Sequence, residues 1–470
     1  MFIKTLQEQL DLLLAGVQER GLCVALSGGV DSIVLLTALQ QLVRTGPKIW
    51  RARLLRAVHV HHHLQLTADD WAREVRGICK KLDVPLTVKH VKVDIYRGSS
   101  LEAEARLVRY ASLSKVLRPQ EVLLTAHHRD DQFETIFLQL MRGAGVNGLA
   151  AMPAITPFAA GWLARPMLEC SRVEIKQWAK HQGLFWIEDS SNSDLRFDRN
   201  YLRAKVLPSL LARWPSAPRV ASRSAFHLAQ AREILEERAV EDLLAITSAD
   251  VLNLVPLGRL SVVRQRNVLR AWVRGCGASV PDTVHLERIR VELPEARVDA
   301  RPVVRWSGGE VRRYRGKLFC LPSGIPVLDL EREWLWSWRR SGSLDLCRAA
   351  GPGAGVLHMV NDPEGPLLGT LLPGKLRVRF RRGGERLALQ IQGPQQILKE
   401  ILRVRGVLPW RRDAIPLLCL PDNASDLVAV AGLGVAAPYQ AYASQCDPPV
   451  KTQRLRRYRL VWEDAPAVFA

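Results

Sequence analysis

Apolar positions between residues 21 and 190 switch repeatedly between two periods. Short strand-like runs, LCVAL (22–26), LLRAVHV (54–60), PLTVKHVKV (85–93), EVLLTAH (121–127) and WLARPML (162–168), are each followed by a stretch with helical spacing. Those helices cover 30–42 and 129–141, and three others open on the capping boxes Thr67-x-x-Asp70, Ser99-x-x-Glu102 and Ser171-x-x-Glu174. Repeated βα units with short connections predict an α/β fold: a doubly wound, mainly parallel sheet with helices on both faces. Ligands of such sheets bind beyond the carboxyl ends of the strands, where Ser27–Ser32 and His127–Asp131 both fall.

After RWPSAP (213–218) the period becomes that of long helices, over 224–246, 260–275 and about 282–292, followed by a hairpin-like 303–321. A Gly/Pro-rich stretch, AAGPGAGV (349–356), reads as a linker. The expected organisation is therefore a catalytic domain over 1–215, a mainly helical middle domain over 216–348, and a small α+β domain over 357–470.

Charge changes this picture more than length does. The 470 residues hold 67 Lys and Arg against 47 Asp and Glu, a net +20. Such an excess points to a polyanionic partner. It concentrates in 375–412, where eleven basic residues face two acids, and Arg377, Arg379 and Arg381 alternate along one predicted strand. With the neighbouring Arg382 they form a candidate phosphate-backbone surface. Trp410, close by, is placed either as a stacking platform for a base or in a core. The eight cysteines form no Cys-x-x-Cys pair, which disfavours a disulfide framework or a metal cluster. MFIKTLQEQLDLLL carries charges within its apolar face, so it reads as an amphipathic helix and not a signal peptide, and a cytoplasmic location is expected.

SGGVDS (27–32) lies between a strand and a helix. Glycines there let backbone N–H groups approach an anion, and the helix N-terminus adds partial positive charge. The Lys of a Walker loop is missing. In its place Ser27, Gly28, Gly29, Val30, Asp31 and Ser32 suit a pyrophosphate leaving group, with Asp31 available to Mg²⁺ or to an ammonium. Asp131 and Glu134, at i and i+3, share a helical face and with Asp31 make an acidic pocket. His59, His61 and His63 share a strand face, but no second ligand cluster accompanies them. Three glycine patterns, at 143–148, 369–375 and 432–434, match nucleotide motifs by letter only and sit in the wrong context.

SGGVDS resembles the signature of the PP-loop ATP pyrophosphatases. With AVHVHHHLQLTADDW (57–71), LEAEARLVRY (101–110), LLTAHHRDDQFETIFLQLMRGAGVNGLAAM (123–152), WIEDSSNSDLRFDRNYLRAKVLP (186–208) and LKEILRVRGVLPWRRDAIPLL (398–418), the chain resembles the tRNA(Ile)-lysidine synthases. That resemblance implies adenylation of the wobble cytidine of a CAU-anticodon tRNA(Ile) by ATP with Mg²⁺, then displacement of AMP by L-lysine. It implies catalytic roles for Asp31, Arg109, His127, Asp131 and Glu134, with Arg109 on the triphosphate and lysine recognition in the acidic pocket. It implies tRNA recognition by the C-terminal domain, where Arg377, Arg379, Arg381 and Arg382 are the candidates; a tRNA contact is expected of the middle domain too, and Arg196, Arg199, Arg203 and Lys205 of the catalytic domain are candidates nearer the anticodon. His63 stands where the family usually has glycine. Oligomeric state is open, a homodimer being one alternative. The competing readings are a tRNA base thiolase, disfavoured by the scattered cysteines, and a non-catalytic tRNA-binding relative, disfavoured by the intact acidic and basic set.

Overall fold

The computed structural model describes residues 2–62, 68–92, 101–188, 194–248, 250–297, 300–324, 328–390, 393–441 and 456–464. Thr67, Ser99 and His63 lie outside these. The chain divides into two compact units, Met1–Leu235 and Glu236–Ala470.

The first unit runs α1 (Phe2–Leu14), β1 (Gly21–Ala25), α2 (Val30–Thr45), α3 (Lys48–Arg51), β2 (Leu55–His61), α4 (Ala68–Leu82), β3 (Leu86–His90), α5 (Leu101–Val116), β4 (Glu121–Leu124), α6 (Arg129–Met141), α7 (Val146–Leu149), β5 (Ile155–Phe158), β6 (Gly161–Ala164) and α8 (Arg172–His181). Its sheet has the order β3-β2-β1-β4-β6-β5. All pairings are parallel except β5 with β6. The pleat sends alternate residues to opposite faces. Leu22 and Val24 join the core built with α1, α2, α4 and α8, whereas Cys23 joins Leu113 of α5 and Leu117 just beyond it on the other face. The doubly wound prediction is met. β5 escaped the sequence reading because ITPF contains a proline, which an edge strand tolerates and a central one does not. The last predicted strand stops at Ala164, before Pro166.

Strand order reverses at β1, whose neighbours are β2 and β4. The loops leaving β1 and β4 therefore open side by side at the switch point, the crevice where open parallel sheets bind ligands.

Beyond α8 come α9 (Asp198–Tyr201), a π-helical turn (Leu202–Val206), α10 (Leu207–Arg213) and α11 (Ala217–Ile246). A π turn brings residues five apart onto one face. Leu202 and Leu207 thus both pack on Phe133 of α6, in one small core.

In the second unit, helices α12 (Leu254–Gly258), α13 (Val262–Gly275) and α14 (Thr283–Glu295) accompany an antiparallel sheet. That sheet is larger than the expected hairpin: β7 (Thr247–Ser248), β8 (Val251–Asn253), β9 (Val303–Trp306), β10 (Gly309–Tyr314) and β11 (Lys317–Pro322) run in the order β7-β8-β11-β10-β9. Leu252, Val304, Val311 and Leu318 meet Val268, Leu269, Trp272, Leu286 and Ile289 in its core. Residues 349–356, expected as a linker, are drawn into the next core, where Ala350 and Ala354 are buried beside Trp336, Leu357 and Leu376. Strand Glu333–Trp336 pairs with Leu376–Arg379, so this body includes residues before 357.

Candidate active site

The loop after β1 is tied by its own serines. Ser32 Oγ accepts from the backbone N–H of Ser27 and of Gly28, each at 3.2 Å, and from the Ser27 hydroxyl at 3.1 Å, and it donates to the Gly29 carbonyl at 2.9 Å. Ser32, expected to offer its hydroxyl to phosphate, is instead 4% exposed and acts as the pin of the loop. Gly28 has φ +93°, a region that suits glycine, and its carbonyl accepts from Ile187 N. Gly29 occupies the N-cap of α2 and makes no side-chain capping bond, so the first turn of this 16-residue helix keeps its dipole directed at the crevice.

The loop after β4 contributes the acids. His128, which sequence reasoning passed over, is 2% exposed and caps α6. Its Nδ1 accepts from the Asp131 N–H at 3.4 Å, while the Asp131 carboxylate accepts from the His128 N–H at 3.1 Å. With Nδ1 accepting, the ring proton sits on Nε2. That atom lies 3.4 Å from Asp131 Oδ2 and 3.8 Å from Asp31 Oδ2. One imidazole therefore joins the two motifs that the sequence keeps about a hundred residues apart. The signal was present in the HHRDD string, but nothing in it said which histidine points inward.

Burial raises the Asp31 carboxyl pKa, partly offset by His128 and reinforced by Asp131. Asp31 Oδ1 is buried and has no hydrogen-bond partner. Burial also acts on Asp131, but His128, His127 and the His128 N–H outweigh it, so that carboxyl is lowered. His127 lies beside Thr125, with Nδ1 2.9 Å from the hydroxyl, and burial lowers its imidazole well below the ordinary value, keeping it neutral.

Glu134 is 2% exposed and grips Arg203 through two bonds, Nε to Oε1 at 2.7 Å and Nη2 to Oε2 at 2.9 Å. Arg199 Nε approaches the same carboxylate at 3.5 Å, and Arg203 Nη2 lies 3.6 Å from Asp131. Burial raises the Glu134 carboxyl despite Arg203. Arg199 and Arg203, expected on a tRNA surface, thus turn inward on the acids, while Arg196 and Lys205 are exposed. Arg109 is exposed on α5, its Nε donating to His62 Nε2 at 3.3 Å at the carboxyl end of β2. His59 and His61 point into the unit. His59 Nδ1 donates to the Leu26 carbonyl at 2.8 Å, and His61 Nε2 lies 3.0 Å from Asp69.

The C-terminal arginines are not equivalent. Arg379 is 6% exposed, bonded to Glu385 at 2.9 Å and to the Ala424 carbonyl. Arg377 meets Glu333 at 2.6 Å and the Pro421 carbonyl, and Arg381 meets Asp413. Of the four, only Arg382 is exposed, beside Glu333 at 3.0 Å. The alternating strand gives Arg377 and Arg379 structural partners and not a solvent-facing stripe.

A lysine-free Gly-Gly loop after the first strand, an aligned helix N-terminus and an acidic second loop at the switch point define an ATP pyrophosphatase of the PP-loop class. A PP-loop domain family model matches residues 3–210, and the models described as the TilS substrate binding domain and TilS substrate C-terminal domain match 252–319 and 376–448. The chain is 39% identical to the tRNA(Ile)-lysidine synthase of Coxiella burnetii, over 92% of this chain and 93% of that one. It is 41% identical to that of Pseudomonas aeruginosa over 89% and 91%, and 41% identical to that of Methylococcus capsulatus over 84% and 88%. The chain belongs to the tRNA(Ile)-lysidine synthase family.

Proposed function

We infer that this chain is a carbon–nitrogen ligase that joins L-lysine to C2 of the wobble cytidine in a CAU-anticodon tRNA(Ile), with ATP converted to AMP and pyrophosphate. The observation that carries the reading is the 39% identity along 92% of the chain to a tRNA(Ile)-lysidine synthase. The modified base pairs as uridine does, which changes the codon read from AUG to AUA.

The chemistry explains the site. Oxygen at C2 leaves poorly, so it first attacks the α-phosphorus of ATP and pyrophosphate departs. The lysine ε-amine then attacks C2, AMP leaves with the former carbonyl oxygen, and the ammonium protons pass to a base. The turn from Ser27 to Ser32 and the N-terminus of α2 hold the departing pyrophosphate. Asp31 has a buried oxygen without a partner, a hard donor fitting Mg²⁺, which is ordinarily held by one or two carboxylates together with substrate phosphates. Bound there, the ion would supply charge stabilisation to the phosphoryl oxygens. Asp131 and Glu134 take the ammonium groups of lysine, and one of these carboxylates accepts the ε-ammonium proton. In this structure Arg203 occupies both oxygens of Glu134, so a lysine ammonium there would have to share the carboxylate with that guanidinium or displace it. His127, kept neutral by burial, sits beside the nucleotide, and Arg109 reaches the triphosphate. Arg196, Lys205 and Arg382 are the exposed tRNA contacts.

The thiolase alternative requires a reactive thiol near the site. Burial pushes the thiols of Cys23, Cys79 and Cys170, in the same unit, up to about 12, 11 and 11, which keeps them protonated and unreactive. Among the described residues no helix is long and apolar enough to cross a membrane; a cytoplasmic location is part of this proposal and follows from the tRNA-modifying reading.

The test is incubation with ATP, Mg²⁺, radiolabelled lysine and a CAU-anticodon tRNA(Ile) transcript beside a C34-to-U control. Label in the first RNA alone, with AMP and pyrophosphate released, is expected. Label in neither would overturn the reading.

A further inference from the structure

The second unit holds a cleft that the ligase reaction leaves unexplained. It is about 380 Å³ in volume, within the size range of ligand pockets. One wall is the β9–β10 hairpin, which presents Arg305, Trp306, Glu310 and Arg312; the facing wall is the 3₁₀ turn Pro409–Ala414, which presents Trp410 and Arg411. Two chain segments about a hundred residues apart thus meet in a lining with three guanidiniums, two indoles and a single carboxylate.

The lining is fixed in place. Phe319 holds Trp410 edge-to-face at 5.3 Å, and the Arg312 guanidinium carbon lies 5.2 Å from the Trp410 ring centroid. Glu310 accepts from Arg305 Nε at 2.8 Å and from Arg312 Nε at 2.7 Å, which orients both forks through the inner nitrogen. Trp306 is anchored by its own N–H on the Ser279 carbonyl at 2.8 Å. Against this order, two buried donors, Trp410 Nε1 and Arg411 Nε, have no hydrogen-bond partner. Trp410 and Arg411 thus bring to the cleft wall an indole and a guanidinium fork whose inner N–H groups the protein itself does not engage. Excess positive charge asks for an anion, and recessed indoles ask for a flat apolar ring. A nucleotide offers both, and an RNA duplex does not, because its bases are stacked away and its phosphates reach only the rim.

We propose that this cleft binds one unpaired nucleotide of the tRNA, with its base against Trp410 and its phosphate at Arg305, Arg312 and Arg411. The proposal rests on the tRNA-ligase reading and adds a single-strand contact to it. A smaller pocket of about 110 Å³, lined by Arg301, Arg313 and the same Arg312 and Trp410, carries the basic lining further, where an adjoining phosphate would lie.

The test uses the full chain with three labelled RNAs: a single-stranded hexaribonucleotide, a blunt duplex of equal length, and intact tRNA. Arg305→Gln removes an exposed charge, and Trp410→Leu keeps apolar volume but removes the stacking face, with a thermal melt to verify folding. Hexamer affinity is expected to fall about tenfold in each variant, with duplex affinity nearly unchanged. Hexamer binding by both folded variants at wild-type strength would overturn the cleft. So would loss in Arg305→Gln alone together with displacement of the hexamer by inorganic phosphate, which would reduce it to an anion site. Failure of the wild type to bind intact tRNA would instead remove the tRNA reading itself.

Discussion

Arg379 and Arg382 sit three residues apart in the same basic run, and burial gives them opposite work. Arg379 and Glu385 are both buried and paired, and Glu385 keeps the Arg382 and Gly383 N–H groups when the arginine is lost, so Arg379→Ala should lower stability by about 2–3 kcal/mol at neutral pH. Burial raises the Glu385 carboxyl, but the Arg382 N–H and Arg379 outweigh it and its pKa is lowered. A depressed carboxylate stabilises above its unfolded value and loses that contribution as pH falls through the folded one. Denaturant titration should therefore show the gap between wild type and Arg379→Ala narrowing on acidification below the ordinary carboxylate range. Arg382→Ala, on a half-exposed side chain, should cost under about 1 kcal/mol but weaken tRNA binding. In the catalytic unit, Asp31→Asn and Glu134→Gln should each abolish lysine transfer in the radiolabel assay while leaving tRNA affinity within about twofold, since neither carboxylate is assigned to the tRNA backbone. Full transfer by either variant would remove that residue from the mechanism. The acids and the Gly-Gly turn were legible because spacing alone put them at strand ends. His128 was not, because only the packed crevice distinguishes it from His127.

At the level of elements, the active site depends on how two loops leave two adjacent strands. Gly28 shows the constraint: its φ is +93°, and an added Cβ would come within 3.2 Å of both Ile187 Cδ1 and Val75 Cγ2. Gly28→Ala should cost about 1–3 kcal/mol in thermal stability and displace the loop enough to weaken ATP binding by calorimetric titration. Helix α8 gives a milder test, since its cap makes no contact with the catalytic side chains themselves. Ser171 Oγ accepts from the Glu174 N–H and Glu174 answers on the Ser171 N–H, so Ser171→Ala should lose about 1 kcal/mol with catalysis intact. That cap was readable from four letters. The π turn at Leu202–Val206 was not, because Pro208 in NYLRAKVLP signals only an interrupted helix, and the packing of Leu202 and Leu207 on Phe133 accompanies the wider turn.

Over the whole molecule, the net +20 is the broadest feature, and the structure divides it between internal partners and exposed surface. If about six exposed cations neutralise phosphates, the slope of log affinity for tRNA against log salt should be about −5, measured by filter binding between low and physiological salt. A flat dependence would mean that the excess charge serves the fold instead. The sequence by itself determined the alternating βα order, the Gly-Gly loop at a strand end, the acidic helix start and the positive excess, because each follows from local periodicity, spacing or summed charge. The tertiary structure alone decided that Arg199 and Arg203 face Glu134 and that Arg379 is buried. It also drew residues 349–356 into a core and brought Trp410 opposite Arg305 and Arg312. These outcomes rest on which side chain loses its water and which charge it then meets. Both depend on segments far apart in the chain, and no local pattern encodes them.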